Sequence, residues 1–232
     1  MLNIDVVILG TGAGATTVYT QECSSSFVLR VDGIPALLAD VGFGVVAACK
    51  ELVGSLPPCI YVSHNHSDHA GELPVLLATD QKHVFAQEQV MQRLKAHRLH
   101  ELQSTGRPLE AFGFYHSLVE REMFEVPILS PKALGLGTVD GAMQDRVTAF
   151  GAEDSHDASY VPQNNASSSS SSSACKLHIK AVKSQNSELC FGLIIYVNQK
   201  AVLGWTASSS ISTLPMHELM NLIVVLHPCI HN

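Results

Sequence analysis

Three of the chain's twelve histidines fall within six residues, in the run His64-Asn65-His66-Ser67-Asp68-His69, and this run constrains the fold more than any other feature. The residues before it, Cys59-Ile60-Tyr61-Val62, are apolar, β-branched or aromatic, as a short buried strand requires. At the end of a strand, residues two apart point to the same side, so His64 and His66 can present their imidazoles to one metal ion. Asp68 and His69, just beyond, in a turn entering a helix, can face a second ion. Imidazole nitrogen with carboxylate oxygen suits zinc, iron or manganese rather than calcium. The plainer alternative is a polar loop that happens to be rich in histidine.

The chain has 232 residues, 46% of them hydrophobic, which is ample for a packed core in one substantial domain or two small ones. Charged residues make up 15%, and the net charge of −7 argues against a nucleic-acid partner, leaving only a local basic patch open. No apolar run reaches the roughly 18 residues of a membrane-spanning helix. The opening segment meets Asp5 before a signal-peptide core can form. The expectation is therefore a soluble, cytoplasmic protein without a membrane partner; nothing fixes its oligomeric state. Cysteines 23, 49, 59, 175, 190 and 229 lie far apart with no C-x-x-C pair, and read as small buried hydrophobes.

Apolar runs separated by turn residues predict strands in NIDVVILG, SSFVLRVDG and PALLADVGFG, then a short helix over 45–53. HVFAQ reads as a strand. Over 88–102, Val90, Met91, Leu94, Leu99 and Leu102 fall at helical spacing, with Arg93, Lys95, Arg98 and His100 on the outward face. That basic face could hold phosphate, although such faces are usually only solvated. Residues 103–160 give no assignable pattern. The stretch 162–174, with seven consecutive serines, has nothing to bury and reads as a disordered loop within the domain. LHIKAVKSQ, CFGLIIYV, KAVLGWTA and NLIVVLHPC predict further strands, so the elements as a whole suggest a layered α/β or α+β fold.

Gly10-Thr11-Gly12-Ala13-Gly14 follows a strand, with Asp32 about twenty residues on, as a dinucleotide-binding fingerprint would have it. The following TTVYTQECSSS is a poor helix former, which favours a plain turn over a pyrophosphate site.

Taken together, ILGTGAG, LLADVGFG, YVSHNHSDHAGELPVLL, HVFAQEQVMQRL and CFGLIIYVNQKAVLGWTASS resemble segments of the metallo-β-lactamase-fold hydrolase superfamily, nearest its ribonuclease Z and phosphodiesterase-type branches. The resemblance implies a four-layer αββα sandwich over residues 1–232, apart from the serine-rich insert. It also implies one or two weakly held zinc ions, with iron or manganese as substitutes. His64 and His66 would hold one ion, and Asp68 and His69 the other. Asp68 would also orient the nucleophile, and Asp40 of Asp40-Val41-Gly42 would order the metal loop by hydrogen bonding.

The sequence departs from that pattern in three places. Ser184, Gln185 and Asn186 stand where the family has a further histidine, leaving His156 or His178 to reach in. Ser208 takes the place of the bridging aspartate, and a hydroxyl is a poor substitute for a carboxylate between two cations. The family's last metal histidine lies beyond NLIVVLHPC, so the resemblance implies that the C-terminal part of the fold is missing; His227 is a candidate replacement. Two readings follow: a metal-dependent hydrolase of phosphodiesters or (thio)esters, or a degenerate member with a binding or regulatory role. A dinucleotide-dependent oxidoreductase, resting on the glycine turn, is a distant third.

Overall fold

The computed structural model describes residues 3–14, 19–127, 175–184 and 189–206, and the backbone of 224–226. These all belong to one of two compact units, Met1–Leu129 with Cys175–Asn232; the other, Ser130–Ala174, contains the serine-rich stretch and lies outside the described residues.

Strands β1 (Ile4–Gly10), β2 (Ser26–Val31) and β3 (Ile34–Ala39) form an antiparallel meander. From β3 onward the same sheet continues in parallel through β4 (Cys59–Tyr61), β5 (Lys82–Gln87) and β6 (Gly113–Leu118). Each parallel step needs a crossover, and helices supply it. α1 (Val45–Val53) links β3 to β4, while α2 (Ser67–Ala70) and α3 (Leu73–Thr79) link β4 to β5. Between β5 and β6 run α4 (Glu88–Arg93), a π turn over Leu94–Arg98, and α5 (His100–Gln103). The second sheet has the order β11-β10-β9-β8-β7, from β7 (Met123–Val126), β8 (Leu177–Lys183), β9 (Phe191–Val197), β10 (Lys200–Trp205) and β11 (Val224–Leu226).

The sheets pack face to face through one apolar core that draws on both. The rings of Phe27 and Tyr61 meet Trp205 edge-on across the interface. The Tyr61 hydroxyl lies 3.0 and 3.1 Å from the carbonyl oxygens of Phe191 and Gly192, tying β4 to β9. α1 packs on β1 and β2, and α4 on β5 and β6, so the described residues form successive helix, sheet and sheet layers. The other face of the second sheet carries a smaller apolar cluster of Val182, Ile194, Tyr196 and Ala201.

Three details differ from the sequence reading. β4 ends at Tyr61, so His64 and His66 sit in the following loop and not on the strand. The helix expected over 88–102 widens to a π turn: Leu99 N–H donates to Leu94 O at 2.8 Å, and the five-residue step keeps both leucines fully buried, where a regular helix would turn one away. β6 and β7 arise in a region that gave no readable pattern, because both are edge strands with few buried residues. The five described cysteines are free thiols; Cys49, Cys59 and Cys190 are buried as expected, Cys23 and Cys175 are only half-buried, and Cys229 lies outside the described residues. Among the described residues no helix is long and apolar enough to cross a membrane.

Candidate metal centre

Parallel strands gather their carboxyl ends at one edge, where open α/β sheets place ligand sites. Asp40 follows β3 and the loop 62–66 follows β4, and here the histidine cluster assembles. Asp40 is fully buried, with φ +60° in the left-handed region that aspartate tolerates better than most residues. The Ser26 hydroxyl shares its one proton between the carbonyls of Ala39 and Asp40, at 2.9 and 3.0 Å, holding the turned backbone in place. This accounts for the burial of Ser26, and Ser24, also buried, accepts from Phe43 N–H at 2.9 Å.

The Asp40 carboxyl accepts from three donors. Ser63 N–H reaches Oδ1 and Ser63 Oγ–H reaches Oδ2, both at 2.8 Å, and His69 Nδ1 also bonds Oδ2. Burial raises the Asp40 carboxyl above its usual range, with His69 and Ser63 acting against it. Because all these neighbours donate, only the carboxylate form satisfies them. Burial works to lower His69 as well, but the charge and hydrogen bond of Asp40, joined by Asp68, push it up to about 10. Asp68 is held below the ordinary carboxylate range: burial acts upward, and the hydrogen bond and charge of His69 and the Gly14 N–H overcome it. His64 is pushed down to about 3, first by burial, then by His69 and His66 beside it, so its ring is neutral.

The four side chains of the motif converge in two pairs. His64 Nε2 lies 3.1 Å from His66 Nδ1, and His69 Nε2 lies 3.3 Å from Asp68 Oδ2. The His64 ring stands 4.2 Å from that of His69, centre to centre, so the pairs are neighbours. Two ligands at about 2.0–2.1 Å from a tetrahedral zinc lie about 3.3 Å apart, so each pair has the separation of two zinc ligands. Each pair also has a ring nitrogen tied back into the protein, the arrangement that orients metal-binding histidines. Among the described residues no group of three or more such side chains is placed to hold one ion. Each pair has the spacing of two ligands of one cation, whose remaining positions no described side chain fills.

His178 does not complete the set. It lies on β8 opposite Glu125 and Tyr196, five residues from the Lys183–Phe191 pair that adjoins the site, or roughly 17 Å along the strand. Its Nε2 is 3.7 Å from Glu125 Oε2, on the face of the sheet turned away from the shared core. Ser184 is buried beside Cys190, whose carbonyl accepts its N–H at 3.0 Å. Gln185, Asn186, His156, Ser208 and His227 lie outside the described residues.

Several residues that serve the cluster escaped the sequence reading. Gly14 N–H donates to Asp68 Oδ2 at 2.7 Å, so the glycine-rich turn reaches the motif. Asp32 occupies the two-residue Asp-Gly turn between β2 and β3, where its carboxylate accepts from Asn3 N–H at 2.8 Å. Both halves of the supposed dinucleotide fingerprint therefore have other partners. Glu72, three residues past His69, accepts from the N–H groups of Gly44 and Val46 at 2.8 Å each and caps the start of α1.

Arg98, expected to be solvated, turns back on the motif. Its guanidinium donates to Asn65 O at 2.9 Å, and to Asn65 Oδ1 and Ser67 Oγ at 3.3 Å each. The π turn that ends at Arg98 is what brings it there. Arg98→Ala is expected to quicken amide exchange at residues 65–67 about tenfold, since each such bond contributes about 1 kcal/mol, with little change in the global melting temperature. Unchanged local exchange would show that the clamp carries no weight.

No protein-family model matches the sequence, and no curated protein matches it. Solved structures do match. The Zn(2+)-bound PqqB from Methylobacterium extorquens aligns over 89% of this chain and 64% of its own, at 12% identity and TM-score 0.51. A diphosphatase from the PhnP family aligns over 97% and 77%, at 11% identity and TM-score 0.50. Both are metallo-β-lactamase fold proteins. This chain has the metallo-β-lactamase fold. The metallo-beta-lactamase fold protein YhfI from Bacillus subtilis also aligns, over 89% and 63%, at 12% identity and TM-score 0.49. The chain thus spans just under two thirds of the length of YhfI and PqqB.

Proposed function

We propose that the chain is a metal-dependent hydrolase of the metallo-β-lactamase superfamily, acting on a phosphodiester or (thio)ester. The observation that carries the proposal is the meeting of two donor pairs, His64 with His66 and Asp68 with His69, at the carboxyl end of the parallel strands. His64 and His66 would hold one ion and Asp68 and His69 the other, zinc being the first choice, with iron or manganese able to replace it. Such ions, when bound, supply Lewis-acid polarisation and lower the pKa of a water to about 7. Asp68, kept ionised by Gly14 and His69, can orient the attacking water through its carboxylate. Asp40 holds His69 in place and takes no direct part. The PqqB neighbour is zinc-bound and the PhnP-family neighbour is a diphosphatase, and the proposal adopts that chemistry. A small phosphodiester is favoured over nucleic acid by the net charge of −7.

A degenerate, non-catalytic member is the second reading, favoured by the two-donor sets and by the position of His178. Metal content and turnover separate the two. After dialysis against a mild chelator, the degenerate reading expects less than one equivalent of zinc, and none in His66→Ala. Chelator-sensitive hydrolysis of bis-p-nitrophenyl phosphate, together with two retained equivalents, would establish the enzyme and mean that residues outside those described complete the site. Metal-independent absence of turnover would leave the binding role.

A further inference from the structure

The geometry points to Ser63 as a positioning residue that carries the influence of Asp40 across to His64, so that one buried carboxylate fixes the tautomer of a histidine in each donor pair. The inference rests on the metal-site reading above. A carboxylate has no proton to give, so the Ser63 hydroxyl and His69 Nδ1, both on Asp40 Oδ2, must each donate to it. A serine hydroxyl has a single proton. With that proton spent on Asp40, Ser63 Oγ can only accept from its other neighbour, His64 Nδ1, at 2.9 Å. His64 is therefore the Nδ1–H tautomer, and the lone pair of its Nε2 faces His66 Nδ1. The same logic gives His69 an Nδ1–H turned to Asp40 and leaves its Nε2 on the side of Asp68.

Ser63 is well held for this task. Its N–H is fixed to Asp40 Oδ1 at 2.8 Å, and its carbonyl accepts from Phe191 N–H at 3.1 Å, so the second sheet anchors the relay as well as the first. Without the hydroxyl, the remaining neighbour of His64 Nδ1 among the described residues is Cys190 Sγ at 3.5 Å, a weak hydrogen-bonding partner. The ring is then free to carry its proton on Nε2, where it would block a cation. The relay reaches only the first pair, because His69 bonds Asp40 directly.

The test uses the full chain and the variants Ser63→Ala, Ser63→Thr and Ser63→Cys. Stepwise cobalt(II) titration is followed by absorption, with His66→Ala marking the step that belongs to the first pair. Nitrogen-15 NMR of the metal-free protein reads the His64 tautomer. Ser63→Ala is expected to weaken the first-pair ion by about 10- to 100-fold and leave the other unchanged, while Ser63→Thr restores the parent affinity. The NMR arm should show Nδ1–H at His64 in the parent and in Ser63→Thr, and a mixture in Ser63→Ala. Ser63→Cys keeps the volume while weakening the bond, and gives the same reading should Ser63→Ala not fold. Unchanged His64 tautomer and unchanged affinities in the Ala and Cys variants would overturn the inference. A parent that binds no cobalt would overturn the metal reading instead, and the NMR arm would still decide the role of Ser63.

Discussion

Replacing Asp40 by asparagine should cost the protein about 3–5 kcal/mol of stability, the range for removing one partner of a buried ion pair. It should also cost metal affinity at both donor pairs. Asparagine keeps the shape of aspartate and shares its tolerance of the left-handed backbone at φ +60°, so the change isolates charge and hydrogen bonding. Its amide can still accept from Ser63 N–H through one oxygen. On the other side an NH2 now faces the Ser63 hydroxyl and His69 Nδ1, both of which donate to the carboxylate in the parent. Three donors then meet with nothing to accept. To relieve this, the His69 imidazolium must give up its Nδ1 proton, keeping the one on Nε2 beside Asp68 Oδ2, and Ser63 must turn its hydroxyl toward His64. Denaturant midpoints and zinc content together check the prediction. A midpoint within 1 kcal/mol of the parent would mean that the buried network around Asp40 is not what holds this end of the sheet.

The parts of this arrangement that sequence makes legible are local. His64, His66, Asp68 and His69 stand within six residues, and their pairing two by two follows from that spacing even though β4 stops short of them. Asp40 was expected to support the metal loop because of the family resemblance, and it does contact His69. The unread contacts join distant positions: Gly14 lies 54 residues from Asp68, and Arg98 lies 33 from Asn65. Neither distance leaves a periodic trace, since each depends on how the sheet and its crossovers fold over the site. The π turn did leave a signal, the five-residue gap between Leu94 and Leu99, but a helical reading passes over it because five lies close to the usual three or four. Ser63 is the instructive case. It is next to His64 in sequence, yet its role depends on Asp40, 23 residues earlier, meeting it in space.

Gly42→Ala should be as damaging as any substitution in the fold that removes no functional group. A methyl at Gly42 would lie 1.9 Å from Asp68 O, 2.4 Å from Asp68 C and 2.6 Å from Ser24 Cβ. Two of those three atoms are backbone, so no rotamer change relieves the clash; either the 40–43 loop or α2 must shift. Both routes strain the bonds that seat α2 on the loop, Val41 N–H to His69 O at 2.7 Å and Glu72 N–H to Val41 O at 2.9 Å. Overpacking at a tight site costs about 1–3 kcal/mol and occasionally more, and the absence of a yielding side chain puts this case at or above the top of that range. Since α2 carries Asp68 and His69, the second donor pair should be displaced along with it, and the first far less. Gly14→Ala is the control. There φ is +59°, so alanine meets backbone strain of about 1–2 kcal/mol, but among the described residues no atom beyond its chain neighbours lies within 4 Å of the added methyl, and the N–H to Asp68 is retained. Urea midpoints and cobalt titration should therefore rank Gly42→Ala well below Gly14→Ala in both stability and second-pair affinity. Equal effects would mean that backbone conformation, and not the close approach of Asp68 to Gly42, is what makes glycine necessary around this site.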